Sequence, residues 1–139
     1  MKKIRTFVFF IFIANLLFMS CKEKGYAIIN IKGSISNSQG QYLDSLMITA
    51  TNLTTKTSDS FLSGTGKEGF DRTYIFEKEI ACNYLIQVED IDGERNGGFY
   101  QEQSTTVTIR ISDYGYRNDL LVQHPYVSKE VNFVLDKKY

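Results

Sequence analysis

The chain has no tryptophan, one proline and one histidine in 139 residues, and its two cysteines lie far apart. A single histidine rules out a His-rich metal tract, and the spacing of Cys21 and Cys82 rules out a Cys-x-x-Cys redox or zinc motif. There is no P-loop and no dinucleotide fingerprint: Gly64-Thr65-Gly66-Lys67 lacks the upstream glycine and the following Ser or Thr that cradle a phosphate. No nucleophile, base and orienting acid stand at recognisable spacing, so the chain reads as non-enzymatic and implies no cofactor. Charge of one sign is lacking too, with sixteen Lys and Arg against sixteen Asp and Glu. Without a basic excess to neutralise phosphates, nucleic acid is not an expected partner.

A long hydrophobic run is also missing. The apolar stretch from Phe7 to Phe18 is preceded by Lys2, Lys3 and Arg5 and followed by Met19-Ser20-Cys21. It is too short for the ~20 residues that span a bilayer as a helix, and it has the parts of a secretion signal. A cysteine directly after a small residue at the end of the apolar run resembles the lipobox of bacterial lipoproteins, in the relaxed form of Bacteroidetes, with Phe18 where leucine is usual. The resemblance implies cleavage before Cys21, acylation of its thiol, and attachment at the outer membrane or cell surface. An ordinary signal peptide cut elsewhere and an uncleaved anchor are the alternatives. Loss of Lys2, Lys3 and Arg5 from the sixteen basic residues leaves thirteen against sixteen acidic, a net charge of about minus three. The expected organisation is a signal peptide over 1–20, an acylated cysteine with a short tether over 21–25, and one domain over 26–139. With Cys21 acylated, Cys82 has no partner for a disulfide and reads as a small buried hydrophobe.

Over the mature chain, short segments alternate apolar and polar residues between polar turns, which predicts an all-β fold. Ala27, Ile29 and Ile31 share a face, as do Leu46, Ile48 and Ala50, and Tyr84, Ile86 and Val88. Val107, Ile109 and Ile111 form another such set, and Val131, Phe133 and Leu135 the last. Residues 54–63 read as an edge strand, and 74–80 alternate again. About seven strands with turns every dozen residues predict an Ig-like or transthyretin-like Greek-key sandwich after an N-terminal signal helix. Its core should include Ile86, Val88, Val107, Ile109, Val131 and Phe133. Pro125 and His124 are expected in a connection outside the strands. The stretch from Ile31-Lys32-Gly33 through the Asn37-Ser38-Gln39-Gly40 turn to Leu43 and Ile48, leading to a glycine-aromatic turn at Gly69-Phe70, resembles the start of carboxypeptidase regulatory-like and transthyretin-like domains.

One internal motif stands out: Asp90-Ile91-Asp92-Gly93-Glu94-Arg95-Asn96-Gly97-Gly98-Phe99-Tyr100. With the signal before it and Glu130 to Lys138 closing the chain, it resembles the lipoproteins of the radical-SAM/lipoprotein system of Bacteroidetes. That resemblance implies a small β-sandwich lipoprotein with a radical S-adenosylmethionine enzyme as partner or modifying enzyme, and no established activity. Arg95 departs from it, since a second acidic residue is frequent there. Physically the loop has two readings. Asp90, Asp92, Glu94 and Asn96 place oxygens at every second residue, as calcium loops do, although Arg95 and Gln101 break the EF-hand template. Alternatively the Asp-Gly and Asn-Gly steps make a strand-connecting turn in which acidic groups cap amides. Phe99, Tyr100, Tyr114, Tyr116 and Tyr126 fall in or beside loops, and the first four form a candidate surface for a glycan, peptide or protein ligand.

Overall fold

The computed structural model describes residues 25–138 apart from 92, 94, 120 and 121. The signal segment, the expected helix within it and Cys21 therefore lie outside the described residues. Among the described residues ten strands follow one another: β1 Ala27–Gly33, β2 Ile35–Asn37, β3 Met47–Asn52, β4 Thr57–Leu62, β5 Phe70–Phe76, β6 Cys82–Glu89, β7 Gln103–Ile109, β8 Gly115–Asp119, β9 Val122–Glu130 and β10 Phe133–Leu135. They form two four-stranded sheets, β5-β1-β9-β8 and β4-β3-β6-β7, with β10 and β2 as a small parallel pair. The fold is an all-β sandwich. Apolar residues at every second position point between the sheets: Ile29 and Ile31 from one, Ile48, Ile86, Val88 and Ile109 from the other, each at most 1 % exposed.

The first and last segments hold the sandwich together. β1 pairs with β9 in parallel from Ile28↔Tyr126 to Lys32↔Glu130, and β2 continues with β10 from Ile35↔Phe133 without a change of register. Between them the ladder bends at Gly33. Val131 N–H donates to the Lys32 carbonyl at 2.8 Å and Phe133 N–H to that of Ser34 at 2.9 Å. The Ser34 N–H goes to the Asn132 side-chain Oδ1 at 2.9 Å, so a carboxamide replaces the missing backbone acceptor. At the bend a Cβ on Gly33 would coincide with the Val131 carbonyl oxygen, so the close approach itself demands glycine.

Several features depart from the sequence reading. Pro125 and His124 lie within β9, which is flanked by β1 and β8, rather than in a connection. Gln123 turns its carbonyl toward Gly25 N–H, 2.9 Å away, and pairing with β1 begins only at Tyr126. By the two-residue period Pro125 presents its missing N–H to the same side, just ahead of the ladder, where no backbone bond is lost. Val131 is only partly buried because it sits at the bend. Ile111, read as a strand residue, lies in the 3-10 turn Ile111–Asp113 and is 55 % exposed. Phe70, read as a turn residue, opens β5, and its ring bridges Phe61 and Phe133 at centroid distances of 6.4 and 6.5 Å. The other expected core residues, Ile86, Val88, Val107, Ile109 and Phe133, are buried, as is Cys82.

The bend yields a direct test. Gly33→Ala must displace the Val131 backbone, and the penalty should exceed that of ordinary overpacking, costing about 3 kcal/mol or more. Urea unfolding should show a much lower midpoint or no cooperative transition; a midpoint within error of the parent would refute the contact.

Candidate functional site

β1 begins two residues after Gly25 at one end of the sandwich, β2 ends at Asn37 at the other, and β9 and β10 run beside them. The far end, where Asn37 and Leu135 stand side by side, collects the 90–101 loop, the Asn37–Gln41 turn and the C-terminal residues Asp136 and Lys137. Together they enclose a cleft of about 830 Å³.

The loop's conformation is governed by Asp90. Its carboxylate is 6 % exposed; Oδ1 accepts the Gly93 N–H and Oδ2 the Tyr100 N–H, both at 3.0 Å. One buried side chain thus closes an eleven-residue excursion on itself. Gly93, Gly97 and Gly98 adopt φ of 59°, 74° and 132°, which side-chain-bearing residues rarely take. Gly93 has a second constraint, because the Phe99 ring fills the space a Cβ would need. Asn96 is held from outside the loop: its Nδ2 donates to the Asp44 carbonyl at 2.8 Å and its Oδ1 accepts the Asp44 N–H at 3.1 Å. Arg95 Nε lies 3.5 Å from Asp44 Oδ1, the guanidinium largely in solvent and the carboxylate oxygen buried.

Of the four candidate calcium ligands, Asp90 and Asn96 therefore direct their oxygens to backbone amides, and Asp92 and Glu94 lie outside the described residues. Among the described residues no group of three or more His, Cys, Asp or Glu is placed to hold a metal ion. The aromatic candidates do not make one surface. Phe99 and Tyr116 are each 53 % exposed, but Tyr100, read as a surface residue, is 1 % exposed and belongs to the core. Tyr114 is half-buried, its hydroxyl donating to the Ile80 carbonyl at 3.2 Å. Phe99 precedes β7 and Tyr116 follows it, so the length of that strand, roughly 23 Å, separates them.

Sequence reasoning missed the opposite wall of the cleft. Asn37 is 5 % exposed; its Oδ1 accepts the N–H groups of Gln39 and Gln41 at 3.0 and 2.9 Å, and its Nδ2 donates to Gln41 Oε1 at 2.9 Å. The Asn-x-x-Gly-Gln pattern was legible as a turn, but not that its asparagine would be buried and would orient Gln41. Lys137 closes the rim, its Nζ donating to the Gly97 carbonyl at 2.8 Å. A second hollow of about 430 Å³ beside the Gly33 bend is lined by charges of both signs, among them Lys32, Lys67, Asp71 and Glu130.

At the Gly25 end the interior is phenolic. Tyr74 stacks on Tyr84 at 4.9 Å, near Tyr114 and Cys82. Burial pushes the Tyr84 phenol up to about 12, and burial followed by the Asp59 charge raises Tyr74 further. Burial raises the Cys82 thiol as well, which keeps it protonated and unreactive. His124, in β9, lays its ring over Gly25 where a side chain would otherwise sit, and its Nδ1 has no hydrogen-bond partner among the described residues.

No protein-family model and no curated protein sequence matches this chain. Among solved structures it is similar to two crystal structures of a C-terminal fragment of the pilus adhesin SpaC from Lactobacillus rhamnosus GG, one of them iodide-soaked, at 12 % and 13 % identity with TM-scores of 0.35 and 0.34. The similarity covers 77 % of this chain and 45 % of the fragment, so the chain spans less than half the fragment's length.

Three predictions test these arrangements. Asp90→Ala leaves the Gly93 and Tyr100 amides unpaired in a buried loop and should destabilise the domain by about 2–4 kcal/mol in urea titration. Calcium should not raise the melting temperature of the parent; a rise of several degrees, abolished by Asp92→Ala, would make the loop a metal site. The tyrosines set the alkaline limit. An unfolded tyrosine loses its proton near pH ~10, whereas Tyr84 keeps it to about 12. Stability present below pH ~10 is therefore lost as pH rises toward about 12, by ~1.4 kcal/mol per pH unit for each such group. Tyr84→Phe should show a shallower decline of the urea midpoint over that range; an unchanged slope would contradict the assignment.

Proposed function

We propose that the chain is a lipid-anchored, non-enzymatic interaction module of the cell envelope, held to the membrane through Cys21. The observation that carries this reading is how soon the fold begins after that cysteine. Gly25 is already bonded to Gln123 and covered by His124 and Val122. The four residue steps from Cys21 to Gly25 reach at most ~14 Å, so an acylated Cys21 keeps one end of the sandwich against the bilayer. Two or three acyl chains, each methylene contributing ~0.8 kcal/mol, make the attachment stable where one would be marginal. The same end exposes Tyr26 at 61 % and Ile75 at 65 %, and an apolar ring with a polar tip suits the headgroup layer.

Catalysis forms no part of this reading. The sole histidine serves to pack Gly25, and Asp90, the most deeply buried acidic residue among those described, serves to close its loop. The resemblance of residues 90–100 to the radical-SAM-associated lipoproteins adds a radical S-adenosylmethionine enzyme as candidate partner or modifying enzyme. The arrangement favours a role as scaffold or target, because the motif lies at the end of the sandwich away from the tether.

Cell fractionation and intact-mass spectrometry test the anchor together. The mature protein should begin at an acylated Cys21, and Cys21→Ser should leave the membrane fraction or accumulate as the unprocessed precursor. A mutant that stays membrane-bound with an unchanged mature mass would overturn the reading, and an unassigned mass increment within residues 90–100 would support enzymatic modification.

A further inference from the structure

We infer that the cleft at the end remote from Gly25 is a binding site for a neutral saccharide; this rests on the reading of the chain as an interaction module. The volume, about 830 Å³, lies within the roughly 300–1,000 Å³ typical of ligand sites. Its chemistry is unusual for a gap between loops, because carboxamides dominate the walls: Asn37, Gln39, Gln41, Asn96 and Gln101. A carboxamide offers two donors and an acceptor side by side, which matches sugar hydroxyls that both donate and accept.

These groups stand on fixed supports. Asn37 is buried and takes Gln41 Oε1, which leaves the two Nε2 hydrogens of Gln41 for a ligand. Asn96 is pinned by Asp44 on one side, and the loop carrying it is closed by Asp90. Ligand binding then has little loop entropy to overcome, which is what preorganisation contributes to affinity.

Charge and shape select against other ligands. Asp136 and Lys137 are adjacent and opposite in sign, and the Lys137 ammonium already donates to the Gly97 carbonyl. With one acid and one base in its lining, the cleft carries no net charge to favour an anionic ligand. An extended peptide needs apolar pockets for its side chains, but the apolar wall, Leu135 and Tyr100, is closed off at 1 % exposure each.

The test is calorimetric titration of the full-length protein in detergent with neutral oligosaccharides of glucose, mannose, xylose and N-acetylglucosamine, alongside oligogalacturonate. At least one neutral oligosaccharide should bind saturably with Kd below about 1 mM. Gln41→Glu keeps the oxygen that Asn37 needs and replaces the donors facing the cleft, so it should weaken binding about tenfold or more without lowering the melting temperature. Asn83→Asp, on the exposed face of β6 away from the cleft, should leave binding unchanged. Absence of saturable binding to every neutral oligosaccharide, preference for oligogalacturonate, or equal binding by the parent and Gln41→Glu would each overturn the inference. The anchor fails separately: a Cys21→Ser protein that keeps its mature mass and membrane attachment but still binds sugar refutes the tether and leaves the cleft standing.

Discussion

The structure depends on the parallel pairing of β1 and β2 with β9 and β10, carried through a bend where the Gly33 backbone touches the Val131 carbonyl. Parallel pairing of segments about a hundred residues apart is entropically demanding, because everything between them must be closed into one loop. Here the intervening chain supplies the second sheet, so closure also brings Ile48, Ala50, Ile86 and Val88 onto Ile29 and Ile31. Antiparallel hairpins such as β3-β4 and β8-β9 form locally, but neither has a second layer to bury against until β1 and β9 meet. The Asn132 side chain matters for the same reason, since it satisfies the one N–H that the bend leaves over.

That pairing also gives the molecule two unlike ends. Both chains of the ladder start near Gly25 and finish near Asn37 and Leu135, roughly 30 Å away along ten residues of strand. The Gly25 end is filled by stacked tyrosines whose burial holds them neutral. The far end is filled instead by carboxamides and one carboxylate bonded to backbone amides. Under the proposed attachment through Cys21, the polar cleft lies at the end of the sandwich facing away from the membrane.

Much of this was legible in the sequence, and the failures have physical causes. Alternation over 27–31, 46–50, 84–88 and 107–109 identified the inward faces correctly, because side-chain direction in a half-buried strand has a period of two whatever the topology. β8 and β9 were missed because Gly115 to Glu130 mixes charges, a histidine and a proline without such alternation. That segment is a strand for a tertiary reason: its backbone pairs with β1, and Pro125 falls just where the pairing begins. Buried asparagines were invisible for a related reason. Asn30, Asn37 and Asn52 are 7 %, 5 % and 1 % exposed, yet asparagine in sequence signals a turn. Asn30 bridges Asp71 and Ser128 across β5, β1 and β9, a contact with no local signature.

The 90–100 loop shows how one residue of phase decides function. Phe99 and Tyr100 are neighbours with the same local composition, and sequence reading gave both to a surface. Because Asp90 fixes the Tyr100 amide and Lys138 N–H donates to the Phe99 carbonyl, the segment is extended here, so adjacent side chains point to opposite sides. Tyr100 goes into the core beneath the cleft and Phe99 goes out beside Gly93. The buried ring gives the cleft a firm floor, while the exposed one covers Gly93. Asp90 and Asn96, two of the four residues that looked like cation ligands, thus bond backbone amides instead. What the loop presents to solvent is a rigid polar wall, opposite a second wall that Asn37 holds in the same manner.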